Sequence, residues 1–201
     1  MRNTVTIILG EIRDARAIEP LIAALYNECD IRIHKTIEES LEKIGNLPTQ
    51  VFITELTNKN NRFRKWAIDA LKSKKVNIMI KGDNASAIQL FITALKTNNT
   101  DAQTYAAEIL GKIGTPAVEP LMDAMKDQNQ EVRSLAIYAL GEIKDARAIG
   151  PIVNALIDFE APDALGKIGA PAVEPLIRKL RDKNSVIRLK ALYALEIIED
   201  P

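Results

Sequence analysis

Along residues 130–143 the apolar side chains fall at Val132, Ala136, Ala139, Leu140 and Ile143. That spacing of i, i+4, i+7, i+8 and i+11 paints one face of a helix. Just before it, Val118, Leu121, Met122 and Met125 repeat at i, i+3, i+4 and i+7 and predict a second, shorter helix. The pair recurs. Leu140–Leu156 reads LGEIKDARAIGPIVNAL and Leu9–Leu25 reads LGEIRDARAIEPLIAAL. The first leucine of that motif falls at Leu9, Leu41, Leu71, Leu110, Leu140, Leu165 and Leu195, in steps of 32, 30, 39, 30, 25 and 30 residues. The last falls at Leu25, Leu56, Leu95, Met125, Leu156 and Leu180. The two series interleave with a period of roughly thirty residues, the length of a two-helix repeat.

Helix signals stand at matching places. Thr115-Pro116 and Asp145 offer an N-capping oxygen or a first-turn proline. Gly45, Gly114 and Gly169 suit helix ends. Pro20, Pro120, Pro151 and Pro175 recur early in one helix of each pair, where a missing N–H costs least and a bend is expected. The pattern predicts an all-α array and nothing else.

VRSLAIYALGEI at 132–143 and DARAIGPIVNAL at 145–156 resemble the HEAT-like repeat of the phycobilisome (bilin) lyase group. The resemblance covers nearly the whole chain. It implies an α-α superhelix, a solenoid with the proline-bearing helices (A) outside and the helices of the VRxxA type (B) lining a concave groove. Phased this way, residues 1–201 form one domain. Met1–Arg13 is a lone B helix, and six repeats follow at about 14–45, 46–75, 76–114, 115–144, 145–169 and 170–201. About thirteen helices result. A solenoid end normally needs a polar cap, which Val5, Ile7, Ile8 and Leu9 barely supply. Either that helix docks on something or the chain begins inside a longer ancestral array; a monomer is the expectation.

Two departures interrupt the period. About nine extra residues lie between Leu71 and Leu95, with Gly82, Asp83 and Asn84 marking a turn; length drift or a partner-binding loop would each explain them. Leu156 to Leu165 spans nine residues where fifteen is usual. The fifth B helix must therefore be short, start near Pro162 and leave a notch in the groove wall.

Composition narrows the function classes. Hydrophobic residues make up 47% and aromatics only 4%, so the core rests on Ala, Ile and Leu. Net charge is zero, unlike a general nucleic-acid binder. One cysteine, Cys29, excludes an intrachain disulfide and a cysteine metal cluster. Thr4–Leu9 is too short for a signal or a membrane span, and a cytoplasmic location is expected.

Catalytic signatures are missing. His34 is the single histidine and falls near a repeat-ladder position. HEAT-like hydroxylases need paired His-Glu steps, which do not occur. Glycine-rich phosphate loops are absent. No catalytic residue, cofactor or metal is therefore expected. The resemblance implies instead a structural ladder between neighbouring repeats, formed by an Asp in the A–B turn and an Arg six residues later. Asp127 with Arg133 and Asp182 with Arg188 match it, Asn58 with Arg64 less closely. Thr97 and Gln103 replace both partners in the third repeat, and the deletion is expected to displace Asp158.

Partner-binding candidates follow from the positions equivalent to Tyr138, on the exposed side of each B helix: Ile7, Glu39, Asp69, Glu108, Tyr138, Asp163 and Tyr193. Trp66 and Tyr105 lie three residues before Asp69 and Glu108, close on the same helices. Together they make an acidic and aromatic strip suited to an extended basic peptide or a cationic ligand. Lys43, Lys112 and Lys167 flank it and dilute its charge; solvated carboxylates and a Trp66 packed between repeats are the plain alternative. The leading expectation is a non-catalytic scaffold holding a partner protein or peptide in the groove. A bilin-lyase-like enzyme or subunit comes second, and a HEAT-like DNA-repair protein third, since that type wants a basic groove.

Overall fold

The computed structural model of the chain describes residues 2–27, 31–44, 55–56, 64–65, 67–69 and 84–199. Among these are eleven α-helices: α1 (Arg2–Ile12), α2 (Ile18–Asn27), α3 (Ile31–Ile44), α4 (Asn84–Leu95), α5 (Thr100–Ile113), α6 (Val118–Ala124), α7 (Gln130–Ile143), α8 (Ile149–Asn154), α9 (Ala161–Ile168), α10 (Val173–Lys179) and α11 (Ser185–Glu199). The described residues contain no strand. Trp66, Asn58, Gly45, Cys29 and the extra residues at 71–83 lie outside them, as does most of the expected second repeat.

The two kinds of helix are built by different local chemistry. B helices are entered through asparagine or through linked turns. Asn99 accepts from the Ala102 N–H at 2.9 Å. Asp127 accepts from the Asn129 N–H at 3.0 Å, and Asn129 in turn from Glu131 at 3.0 Å. Asp182 and Asn184 repeat that relay at the start of α11. Each pair satisfies backbone donors that the first turn of a helix leaves open. The A helices α2, α6, α8 and α10 each follow directly on a 3-10 turn. Asp14 and Asp145 cap two of those turns, accepting from the Arg16 and Arg147 N–H at 2.9 and 3.0 Å. The guanidinium groups fold back onto the same carboxylates and hold both well down, to about 2. At the other two, Gly114 and Gly169 end the preceding B helix at φ of 81° and 85°, with Pro116 and Pro171 inside the 3-10 turn that follows. Pro20, Pro120, Pro151 and Pro175 are each the third residue of an A helix, within the turn that has no internal acceptor for their N–H.

Packing follows the repeat. Each described A helix lies on its own B helix, α2 on α3, α4 on α5, α6 on α7, α8 on α9 and α10 on α11. Successive B helices stack as α5, α7, α9 and α11, and the lone α1 stacks on α3 in the same way. The glycines that follow Leu9, Leu110, Leu140 and Leu165 make that stacking close. A Cβ at Gly10 would lie 2.8 Å from the Ser40 Cα, and one at Gly141 would lie 2.8 Å from the Ala164 Cα. Gly111 and Gly166 face Glu142 and Ile197 of the next B helix. Alanines complete the seam: Ala102, Ala106, Ala107, Ala136, Ala139, Ala161, Ala191 and Ala194 have no exposed surface. Small residues let two helix backbones approach, which is what a core poor in aromatics uses in place of bulk.

The ladder arginines make contacts both within and between repeats. Arg133 donates to the Asp127 and Gln128 carbonyls at 3.0 and 3.1 Å, as Arg188 does to the Asp182 and Lys183 carbonyls at 2.9 and 3.1 Å. The other Arg133 nitrogen reaches forward to the Asp158 carboxylate at 3.2 Å. Asp158 is therefore not displaced by the deletion. It stands two residues after Leu156, as Asp127 stands two after Met125, and the residues were lost after it. Gln103 takes the arginine's place in the third repeat, donating to the Leu95 carbonyl at 3.0 Å, so no charge is buried there without a partner.

Candidate functional site

The shortened fifth repeat shapes the surface. α7 has fourteen residues and α9 only eight, beginning with Pro162 in its first turn. What is missing is the N-terminal part of the B helix, so the first half of α7 loses its neighbour on that side. The turn 155–160 takes the space. It is held firmly: the Asp158 N–H donates to the Ala155 carbonyl at 2.9 Å, Arg133 from α7 grips the Asp158 side chain, and Lys190 from α11 donates to the Ile157 and Asp158 carbonyls at 2.8 Å each. Asp158 is only 7% exposed, whereas Ile157 and Phe159 on either side of it are 57% and 73% exposed.

Phe159 and Glu160 form one wall of an open cleft of about 830 Å³; the opposite walls are Thr104 from α5 and Asn129, Glu131, Leu135 and Tyr138 at and within α7. A smaller cleft of about 400 Å³ lies on the other side of Tyr138, between Glu108, Lys112 and Glu142. Carboxylates outnumber cations here. Burial pushes the Glu160 carboxyl up, helped by the neighbouring Asp163 and Glu131 charges and opposed by Lys167. Lys167 sits 4.7 Å over the Tyr138 ring and pairs with Glu142 at 2.5 Å. That bond holds its ammonium above the ordinary lysine range.

The expected strip is assembled only in part. Glu39 and Asp69 are exposed, Glu108, Tyr138 and Asp163 are half-buried, and Ile7 and Tyr193 are exposed apolar or aromatic surface. Glu108 and Tyr138 share the smaller cleft. Tyr105 is a correction: it is 5% exposed and belongs to the core, and burial, with the Glu108 charge beside it, pushes its phenol up to about 12. The reason is the neighbour. Tyr105 and Leu135 both stand five residues before a phase leucine. α5 stacks against the full-length α7, whereas α7 meets the truncated α9 and leaves Leu135 half-exposed. Trp66 lies outside the described residues.

Two of the flanking lysines make ion pairs between repeats. Lys43 pairs with Glu11 at 2.6 Å, at the same repeat positions as Lys167 with Glu142. Lys43 and Lys167 thus form a second inter-repeat ladder with glutamates of the preceding B helix, while Lys112 lines the smaller cleft and Lys167 also acts on the Glu160 charge. Phe159 was not singled out by sequence. Its signal was there in the nine-residue spacing from Leu156 to Leu165, which marks a turn the regular repeat lacks. His34 is buried. Among the described residues no three His, Cys, Asp or Glu side chains gather as a metal ion would need, and no helix is long and apolar enough to cross a membrane.

Two family descriptions match the sequence, HEAT repeats over residues 88–163 and the PBS lyase HEAT-like repeat over residues 1–27. No curated protein matches it. Among solved structures it is similar to the complex of CpcE and CpcF of phycocyanin lyase from Nostoc, at 21% identity and a TM-score of 0.49 over 78% of this chain. The chain spans 66% of that lyase chain, under two thirds of its length. It is also similar to human deoxyhypusine hydroxylase in complex with glycerol, at 20% identity and a TM-score of 0.46, over 100% of this chain and 80% of that one. A designed armadillo repeat protein in complex with the peptide (KR)4 gives 16% identity and a TM-score of 0.37, over 97% and 92% of the two chains.

Proposed function

Because the chain is a HEAT-like repeat protein, we propose that it works as a non-catalytic scaffold that holds an extended, basic segment of a partner protein along its B-helix face. The observation that supports this is the cleft between α5, α7 and the turn 155–160, an open surface of about 830 Å³ with carboxylates at its rim. Glu131, Glu160 and Asp163 form no ion pair with any described residue, and Lys43 and Lys167 are engaged by Glu11 and Glu142. An unpaired acidic surface beside the half-buried Tyr138 and the exposed Phe159 favours lysine and arginine through both charge and ring contact.

The test uses a fluorescent octapeptide of alternating lysine and arginine, followed by anisotropy. Binding should weaken as salt rises, and the pair Glu131→Lys with Glu160→Lys, both at the cleft, should lower the affinity at least about tenfold, a loss of roughly 1.4 kcal/mol. A wild-type protein that leaves the peptide free at low salt would remove the reading. A second reading, a bilin-lyase-like subunit, is favoured by the match of residues 1–27 to the PBS lyase repeat. It expects an absorbance shift when the protein is mixed with a free bilin, and an unchanged spectrum counts against it.

A further inference from the structure

We propose that the turn 155–160 is a preorganised apolar anchor, and that the partner segment it receives carries one large aliphatic or aromatic side chain flanked by lysine or arginine. This rests on the scaffold reading and specifies the occupant of its cleft.

Three observations carry it. The first is exposure on a turn pinned by hydrogen bonds. Phe159 shows 73% of its surface, yet the turn that presents it is gripped from both neighbouring B helices, by Arg133 on the Asp158 carboxylate and by Lys190 on two consecutive carbonyls. An aromatic side chain held in place before binding loses little freedom on contact, and such residues dominate binding energy where they sit over a pocket. The second is the apolar floor. Leu135 and Tyr138 line the same cleft as Phe159, so an inserted side chain meets carbon on more than one side. The third is the charge around that floor. Glu131 and Glu160 lie at the cleft, and neither pairs with a described cation. A partner segment that was apolar alone would desolvate these carboxylates without compensation; one that was basic alone would leave Phe159 in water. A basic segment with a central apolar residue answers both.

The folding logic agrees. A regular repeat would cover the first half of α7 with the next B helix. Here that length of helix is missing, and two cations are used to fix a short turn in the gap. Lys190 and Arg133 are thus positioning residues for Phe159.

The experiment compares three labelled peptides of equal length on the intact chain. The first alternates lysine with glycine. The second replaces the central glycine with tryptophan. The third keeps the tryptophan and exchanges lysine for glutamate. The second should bind at least about tenfold more tightly than the first, and the third should not bind. Phe159→Ser, a change at an exposed position that the fold does not need, should erase the tryptophan advantage, so that the first two peptides bind with equal affinity. Lys190→Met should reduce the advantage without abolishing it, and Lys190→Arg should restore it. Equal affinity for the first two peptides, or an advantage that survives Phe159→Ser, overturns the anchor while leaving the charge-based reading in place. If neither lysine peptide binds, the scaffold reading fails and the anchor fails with it.

Discussion

Gly141 and Gly150 lie nine residues apart, and the same substitution should act on them in opposite directions. Alanine is favoured over glycine inside a helix by about 0.5–1 kcal/mol. At Gly150, in the first turn of α8, a Cβ would meet nothing within 4 Å, so Gly150→Ala should keep that gain. At Gly141 the new carbon would lie 2.8 Å from the Ala164 Cα and 2.9 Å from its Cβ. An ordinary carbon–carbon contact needs ~3.5 Å, so α7 and α9 would have to part by roughly 0.7 Å. The opposing atoms are backbone and Cβ and cannot rotate away. Overpacking of this kind costs ~1–3 kcal/mol, which outweighs the helix gain and leaves a net loss of about 1–2 kcal/mol. For a chain of this size that lowers the melting temperature by roughly 2–8 °C, with Gly150→Ala shifted the other way by a few degrees. Far-ultraviolet circular dichroism on heating measures both. Amide exchange adds the location, because repeat arrays can open piecewise and the loosened amides should lie in α7 and α9. A Gly141→Ala protein as stable as the Gly150→Ala protein would show that the close stacking of B helices is not what the motif glycine provides.

Further outcomes follow from the same contacts. Arg133→Met removes the donor to a buried carboxylate and should cost ~1–3 kcal/mol. Asp158→Asn keeps a hydrogen-bond acceptor and should cost less, an order that urea unfolding checks. Tyr105 is raised to about 12 from an unfolded value of roughly 10, so the unfolded chain gives up this proton first. Stability should be unaffected by Tyr105 below about pH 10 and should fall as pH rises toward 12; Tyr105→Phe should flatten that alkaline slope in melts taken across the range. Asp145 has the opposite sign. Its carboxyl is held at about 2, so its contribution is present above the ordinary aspartate range and lost as pH falls toward 2. Asp145→Ala should lose the cap, melt at a lower temperature near neutrality, and be less sensitive to acid than the parent in the same melts.

The repeat was legible in the sequence because its signals are local and periodic. An apolar face at helical spacing, a capping Asp145, a Gly114 that alone among common residues takes a left-handed turn at no cost, and a Pro120 in the first turn each act over a few residues. Seven phase leucines at near-constant spacing then leave stacking as the only way to bury the faces. The shortened fifth B helix was legible too, since nine residues cannot hold what fifteen hold, and α9 does begin beside Pro162. Tertiary structure decided what these elements meet. Tyr105 and Leu135 hold equivalent positions, yet one is core and the other lines a cleft, because the first has a full-length neighbour and the second a truncated one. Asp158 kept its ladder role because Arg133 crosses twenty-five residues of sequence to reach it. Phe159 became an exposed wall because cations from α7 and α11 fix its turn. Burial and pairing depend on what lies across a gap, and that distance is set by how the repeats stack, which spacing along the chain does not record.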